Sequence, residues 1–373
     1  MTGCAAVHHL TRQGITNIAW IVPQKISASG VSAGILSGEP WDNFTRFSHA
    51  HGSRFSEYLW QIMRDGFDAL TRQLEQWGIP IARGRRVRLI LSQHELAECE
   101  SAVHQLTSAG FSVELFDPAD DLHFPGLGAE VMAVQDSGTV AAMVDPGAVL
   151  SAFHQHTKIP AMDGKAERIE SKGTSVFCHL ADGRQLEASF VVLACHGEIP
   201  GFLPTLRDAL VPYNDQWAAY SRPLAWPAGS LAAGDVFSAN HGHIWGGIHP
   251  QGNVHCGGAR YLRPLAGIGQ HKSEWRDDIS QHLARKLGGI FSGEFKPVGG
   301  QRAALTDCWP CDELPVIGPM FGESQVLLAT GYMGNGLVWG YWAGRVVAEL
   351  IACGQCADLD RRLAPGRFRS LGT

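Results

Sequence analysis

The chain has 373 residues, 45% of them apolar and 18% charged, with a formal net charge of −6. That length suits two or three domains, or two interleaved ones, with a core of useful size. The negative balance argues against a broad nucleic-acid surface, and no run of about 18 continuous apolar residues marks a membrane span. Nine cysteines, an odd count without the marks of a secretory leader, fit reduced thiols in a cytoplasm better than a disulfide framework.

Apolar periodicity predicts a helix over 3–14, with Ala5, Ala6 and Leu10 on one face and Gly14 as its stop, then a short strand from Ile18 to Val22. A small-residue loop, Ser27 to Gly34, precedes a long helical pattern over 53–77 in which Phe55, Leu59, Met63, Phe67, Leu70 and Leu74 recur every three or four residues. Val87 to Leu91 and Val113 to Phe116 are strand-like and bracket a helix from Glu95 to Ala109. Asp145-Pro146 opens a helix over 147–156. A hairpin pattern runs from Arg168 to Leu186, and Phe190 to Ala194 is a short apolar run suited to a buried parallel strand. Residues 211–262 alternate like antiparallel strands, with turns at Gly229, Gly234 and Gln251-Gly252. A helix from Asp277 to Leu287, a strand from Val326 to Ala329 and a helix from Gly336 to Ile351 complete the pattern. Helix-flanked buried strands at both ends, with an antiparallel region between them, predict two interleaved domains.

The most informative segment is Thr330-Gly331-Tyr332-Met333-Gly334-Asn335-Gly336-Leu337, lying between the last strand and the last helix. A strand, a glycine turn and a helix N-terminus offer unpaired amides and a favourable dipole to a phosphate or an electron-rich ring; the same turn also serves simple chain reversal. Upstream stands Asp312, then Leu314-Pro315-Val316-Ile317-Gly318. Together these resemble the closing segment of the D-amino-acid-oxidase family of FAD-dependent enzymes, Asp-x-x-Pro-x-Ile-Gly followed by Gly-x-x-Gly-x-Gly. Further stretches fall into the same order: Ala28-Ser29-Gly30 through Ala33-Gly34 resembles the family's flavin-side loop, Val144-Asp145-Pro146 its helix start, Val191 to Ala194 with Gly197 its Val-Val-Leu-Ala-x-Gly strand, and Gly257-Gly258-Ala259-Arg260 the Gly-Gly-x-Arg strand of its substrate domain.

The resemblance implies a Rossmann-like α/β FAD-binding domain, discontinuous over 1–82, 138–210 and 297–373, with an α+β substrate domain containing an antiparallel sheet over 83–137 and 211–296. It implies FAD held by Gly3, Gln24, Ser29, Gly30, Ala33, Gly34, Ala194, Gly197, Gly331, Gly334, Gly336 and Leu337, and oxidation of a small amine or amino acid with oxygen or another electron acceptor as second partner. Arg302 is the candidate for a substrate carboxylate, with Arg260 as second choice; His49 and His51 are candidates beside the flavin. At the N-terminus Gly3 matches the third glycine of G-x-G-x-x-G, so the first strand and the first two glycines of the phosphate turn are expected to be missing, and Gln24 stands where the family places an acidic ribose ligand. An N-terminally truncated enzyme, a flavin-less relative and an enzyme with a different cofactor grip all remain open, as does a flavoenzyme acting on a modified tRNA base. Cys308-x-x-Cys311 and Cys353-x-x-Cys356 have zinc-ligand spacing, but Pro310 lies inside the first and the second falls at a helix end, so no metal site is expected.

Overall fold

Side-chain caps and their absence mark where the helices of this chain begin. The structure is a computed structural model that describes residues 1–22, 27–117, 124–223, 226 and 230–371. Helix α1 (Thr2–Arg12) starts without a side-chain cap. Strands β1 (Trp20–Val22) and β2 (Ile35–Ser37) flank the small-residue loop. Asn43 opens the pair α2 (Phe44–His51) and α3 (Ser53–Gln76), its side chain accepting from the Thr45 amide at 2.8 Å. Strands β3 (Ile81–Gly84) and β4 (Arg86–Ile90) lead to α4 (Gln93–Ser108), capped by Ser92 on the Glu95 amide. Strands β5 (Glu114–Phe116), β6 (Ala133–Asp136) and β7 (Ala141–Val144) precede α5 (Pro146–His156), which Asp145 caps on two amides. Next come β8 (Ala161–Asp163), the meander β9 (Ala166–Lys172), β10 (Ser175–Leu180) and β11 (Gln185–Ala188), then β12 (Val191–Leu193) and the one-turn α6 (Ile199–Phe202). Strands β13 (Leu210–Ser221), β14 (Val236–Ala239), β15 (Ile244–Ile248) and β16 (Val254–Gly258) run on to α7 (Asp277–Phe291). Strands β17 (Lys296–Pro310), β18 (Val316–Met320) and β19 (Glu323–Thr330) end in α8 (Gly336–Cys353).

Nearly every element read from periodicity is present, with ends moved by a few residues. The turn expected at Gly229 and the Gln24 position lie outside the described residues. Two parallel pieces, β1–β8 and β12–β19 with β18 added antiparallel, do not hydrogen-bond to each other; Gly3 lies between them, its built Cβ 3.7 Å from the Trp20 indole nitrogen and 4.0 Å from Ala194 Cβ. The large sheet has eight strands in the order β17-β13-β16-β15-β14-β4-β6-β5. Strand β17 pairs with β13 along its length, so residues 297–310, grouped by sequence with the cofactor domain, hydrogen-bond into the second domain's sheet.

Helix α8 is apolar on almost every face, which suits an element packed on several sides. It lies against α1 and α3, where Met1, Ala5, Phe67, Leu70, Leu74, Val338 and Tyr341 share one core. Helix α7 covers one face of the large sheet, Leu283 and Leu287 packing with Ala218, Tyr220 and Phe237. Among the described residues no helix is long and apolar enough to cross a membrane.

The α1–α8 contact is close because Gly344 has no side chain: a built Cβ would stand 2.5 Å from Ala5 Cβ and 2.7 Å from the Ala6 amide nitrogen. Gly344→Ala is therefore expected to lose up to about 2 kcal/mol, overpacking of about 1–3 kcal/mol being partly offset by a helix-propensity gain of about 1 kcal/mol. Gly366→Ala, with nothing within 4 Å of its built Cβ, should stay within about 0.5 kcal/mol. Urea melts of the two variants check this; equal stability would mean that the helices part without cost.

Candidate active site

The site is built where three chain segments meet. Thr2 Oγ1 and Tyr332 Oη share a buried hydrogen bond of 3.1 Å, tying the first turn of α1 to the glycine turn that opens α8. The Met1 nitrogen donates to Ser29 Oγ at 3.1 Å, which brings in the loop from Ser27 to Gly34. Neither α1 nor α8 has a side-chain cap or an acidic residue in its first turn. Their first-turn amides and the positive ends of their dipoles thus suit an anion, as a dinucleotide requires. These residues fit the flavin dinucleotide that the sequence resemblance implies.

The expected cofactor residues separate into two groups. Gly3, Ser29, Gly30, Gly334 and Gly336 lie in this junction; Gly336 opens α8 with no atom closer than 4.0 Å to its built Cβ. Gly334 has φ +85° and a built Cβ 3.3 Å from the Trp41 indole nitrogen. Gly34, Gly197, Gly331 and Leu337 also make close contacts within the protein. Gly34 (φ +76°) presses its backbone onto Val144, whose carbonyl oxygen would be 2.1 Å from a Cβ. Gly331 lies under Pro310, Gly197 against Pro212 and Asp307, and the Leu337 side chain in the α1–α8–α3 core.

Across from the loop stands one face of the large sheet. Register pairs Trp217 with both Ala303 and Gly257, Trp245 with Gly257, Asp215 with Leu305 and Tyr213 with Asp307. Directly opposed residues share a face, so Tyr213, Asp215, Trp217, Trp245 and Asp307 all point the same way. This face meets the loop: Trp217 Nε1 donates to the Val31 carbonyl at 2.8 Å, and His255 Nδ1 lies 2.9 Å from the Ala33 carbonyl. Burial pushes His255 down to about 4, with His249 adding and the Ala33 bond opposing. The ring is therefore neutral at physiological pH, with its proton on Nδ1, because a carbonyl can only accept.

Arg302 is on the other face. It pairs with Ala218, beside Tyr220, whose hydroxyl bonds Ser280 of α7. Its guanidinium lies 4.6 Å from the Trp275 ring and 3.6 Å from Asp277, with 54% of the side chain exposed. A shift of one residue in register is enough to turn a strand side chain from one face to the other, and that is the distance between Arg302 and the loop-facing Ala303. The cation that does reach this face is Arg260, whose Cζ lies 4.3 Å from the Tyr213 ring. His49 and His51 sit at the end of α2, His49 exposed and His51 against Phe47 and Phe55.

Two further features escaped the sequence reading. Asp215 accepts from the Gln216 amide at 2.8 Å; burial pushes its carboxyl up to about 6, the Asp307 charge adding to the rise while the Gln216 amide, Arg260 and the Trp245 indole oppose it. A buried chain also links the two domains. The His196 ring bonds Asp307, Tyr213 Oη donates to Asp307 at 2.9 Å, the Cys308 amide at 2.7 Å, and Thr330 Oγ1 lies 3.3 Å from the far side of the imidazole. Burial alone would raise the Asp307 carboxyl, but the His196 charge and these bonds hold it below its ordinary value. The one signal in the sequence is the period-two spacing of Tyr213, Asp215 and Trp217.

Residues 1–350 match the family described as DAO, FAD dependent oxidoreductase. The chain is 28% identical over 247 residues to the tRNA 5-methylaminomethyl-2-thiouridine biosynthesis bifunctional protein MnmC of Thiobacillus denitrificans, covering 62% of this chain and 37% of that one; it thus spans about a third of that relative's length. Its fold is similar to that of L-proline dehydrogenase from P. horikoshii (TM-score 0.80, 15% identity, 99% of this chain and 95% of that chain) and of glycine oxidase from Geobacillus kaustophilus (TM-score 0.77, 15% identity, 96% and 94%).

Asp307→Asn is expected to cost about 1.5–3 kcal/mol by removing the carboxylate that accepts these hydrogen bonds, and Tyr213→Phe about 1 kcal/mol for one hydrogen bond. A carboxyl held low stabilises the fold fully above the unfolded value of about 3.9 and loses that contribution as pH falls through its lower folded value. The Asp307→Asn deficit in urea melts should therefore shrink on acidification below about pH 4; a deficit that does not depend on pH would contradict the pairing.

Proposed function

We propose, from the premise that the chain belongs to the DAO family of FAD dependent oxidoreductases, that it binds FAD where α1 and α8 meet the Ser27–Gly34 loop and oxidises the C–N bond of an amino acid lying on the Tyr213–Trp217 face. The observation that carries this reading is the presence of one cation, Arg260 over the Tyr213 ring, and one carboxylate, Asp215, at the sheet face that meets the loop.

FAD, held by the α1–α8 junction and the Ser27–Gly34 loop, would supply a two-electron acceptor for hydride from the carbon beside the amine nitrogen. The protein's residues handle binding and protons. Arg260 offers a planar fork to the substrate carboxylate. Ionised Asp215 holds the ammonium group and takes its proton at the carboxylate oxygen, leaving the neutral amine whose lone pair supports hydride loss. Trp217 and neutral His255 wall the site against water and carry no charge that would compete for the substrate. The product imine hydrolyses in solvent.

Reconstitution with FAD and anaerobic mixing with amino acids tests the reading: flavin absorbance should bleach with a substrate amino acid, and failure to bind FAD or to bleach with any amino acid would overturn it. In the loaded enzyme, Arg260→Ala should raise KM for an amino acid by about tenfold or more, since a hydrogen bond to a charged group is worth about 1.5–3 kcal/mol. Arg302→Ala, on the opposite face, should shift KM by no more than about twofold.

The titration of Asp215 sets the pH profile. Below about 6 its carboxyl is protonated and neutral, so kcat/KM should fall on the acid side of that value, and Asp215→Asn should abolish that limb along with most of the activity. An unchanged acid limb in Asp215→Asn would assign the titration to another group.

A second reading places the amine on a modified tRNA base, supported by the match to MnmC of Thiobacillus denitrificans; the net charge of −6 weighs against it. Binding of tRNA that weakens steeply with salt would favour this reading over a free amino acid.

A further inference from the structure

Away from the active site, two elements distant in sequence bring together three side chains with metal-ligand chemistry. His94 and Glu98 stand one turn apart near the start of α4, and His241 lies in the turn between β14 and β15. His241 Nδ1 is 3.2 Å from one Glu98 oxygen and His94 Nδ1 is 3.9 Å from the other; one ligand atom from each of the three residues lies within 4.8 Å of the other two. A four-coordinate ion with bonds of about 2.0–2.2 Å spaces its ligand atoms by about 3.4 Å, so these separations bracket what such an ion needs. The imidazoles are 5.6 Å apart and tilted, not stacked on each other.

The backbone behind these groups is fixed in place. Asn240, His241 and Gly242 all have left-handed φ (53°, 56° and 85°), a conformation that non-glycine residues adopt at a cost. The buried carboxylate of Glu95, one turn from Glu98 on the same helix, accepts the His241 amide at 2.7 Å and holds that turn against α4. Thr45 Oγ1 donates to the Glu98 carbonyl at 3.0 Å and pins the helix from the other side. Little rearrangement beyond a rotation of the exposed His94 ring would bring the three donors onto one centre.

We propose that His94, Glu98 and His241 form a binding site for a late first-row divalent cation, zinc foremost, which clips α4 to the β14–β15 turn and leaves one coordination position to water. Two imidazoles and one carboxylate are a borderline donor set that suits Zn²⁺, Co²⁺ or Ni²⁺; Ca²⁺ and Mg²⁺ prefer all-oxygen shells. The cysteine pairs contribute nothing here: Cys308 is buried in β17, and Cys311, Cys353 and Cys356 belong to other elements. The site does not depend on the flavin reading and would persist if that reading failed.

The test is calorimetric titration of Zn²⁺ into the chelator-stripped full chain, with thermal melts in parallel. One equivalent should bind and raise Tm. His94→Ala, a change on an exposed side chain, and Glu98→Gln should each weaken binding by about tenfold or more, the scale on which even outer-shell losses act, and should cancel the rise in Tm. Co²⁺ in place of Zn²⁺ should give the visible bands of a four-coordinate N/O site, and those bands should vanish in His241→Ala. No stoichiometric binding would overturn the proposal, as would binding that survives all three substitutions or is lost in Cys311→Ser.

Discussion

The placement of the proposed active site depends on one buried carboxylate. Asp307 sits at the end of β17 in the large sheet and accepts from Tyr213 of the neighbouring strand and from its own following amide. Its third partner, His196, follows β12 in the parallel piece and reaches Thr330 at the head of the glycine turn. The chain Tyr213–Asp307–His196–Thr330 thus joins the sheet that would hold substrate to the turn that would hold cofactor. A buried ionised group keeps its charge only when every lone pair is answered, so the network fixes the distance and tilt between the two surfaces more firmly than apolar packing could. The left-handed backbone at His196 (φ 54°) is the local cost of aiming the ring across that junction.

From that joint the electrostatics of the two surfaces follow. On one side, two uncapped helix N-termini and a small-residue loop present amide dipoles without a competing carboxylate. On the other, the Tyr213–Trp217 face carries Arg260 and Asp215 among indole rings. The one imidazole in contact with the loop, His255, is kept neutral by burial. Arg260 and Asp215 thus stand among aromatic rings, where a charge–charge or hydrogen-bonding interaction counts for more than in open water.

The fold was legible in the sequence to the extent that its signals are local. The 3.6-residue repeat of Phe55 to Leu74 gave α3, Asp145-Pro146 gave the start of α5, and the closing Pro-x-Ile-Gly and glycine turn gave the last strand and helix. The family resemblance ordered these pieces correctly, and the DAO match covers residues 1–350. The candidate site was less legible because its residues meet through pairing between distant strands. Whether residue 302 or 303 faces the loop depends on the register of β17 against β13, set across some 85 intervening positions in the chain; spacing from a motif can place an arginine on the strand but does not say which face it takes. The His196–Asp307 contact spans 111 residues, too far for any local signal to join them. Glycines are hard to read for a related reason: protein backbone or a proline ring lies against Gly34, Gly197 and Gly331, which looks the same in sequence as making room for a ligand.

The central claim is that cofactor and substrate lie between the α1–α8 junction and the Tyr213–Trp217 face. The most direct measurement is the electron density of crystals grown with FAD and an unreactive carboxylate that mimics an amino acid. The account predicts the dinucleotide phosphates at the first turn of α1, the flavin ring along the Ser27–Gly34 loop and the Thr330–Gly336 turn, and the ligand carboxylate paired with Arg260. A ring bound elsewhere, or a carboxylate seated on Arg302 beside α7, would contradict it.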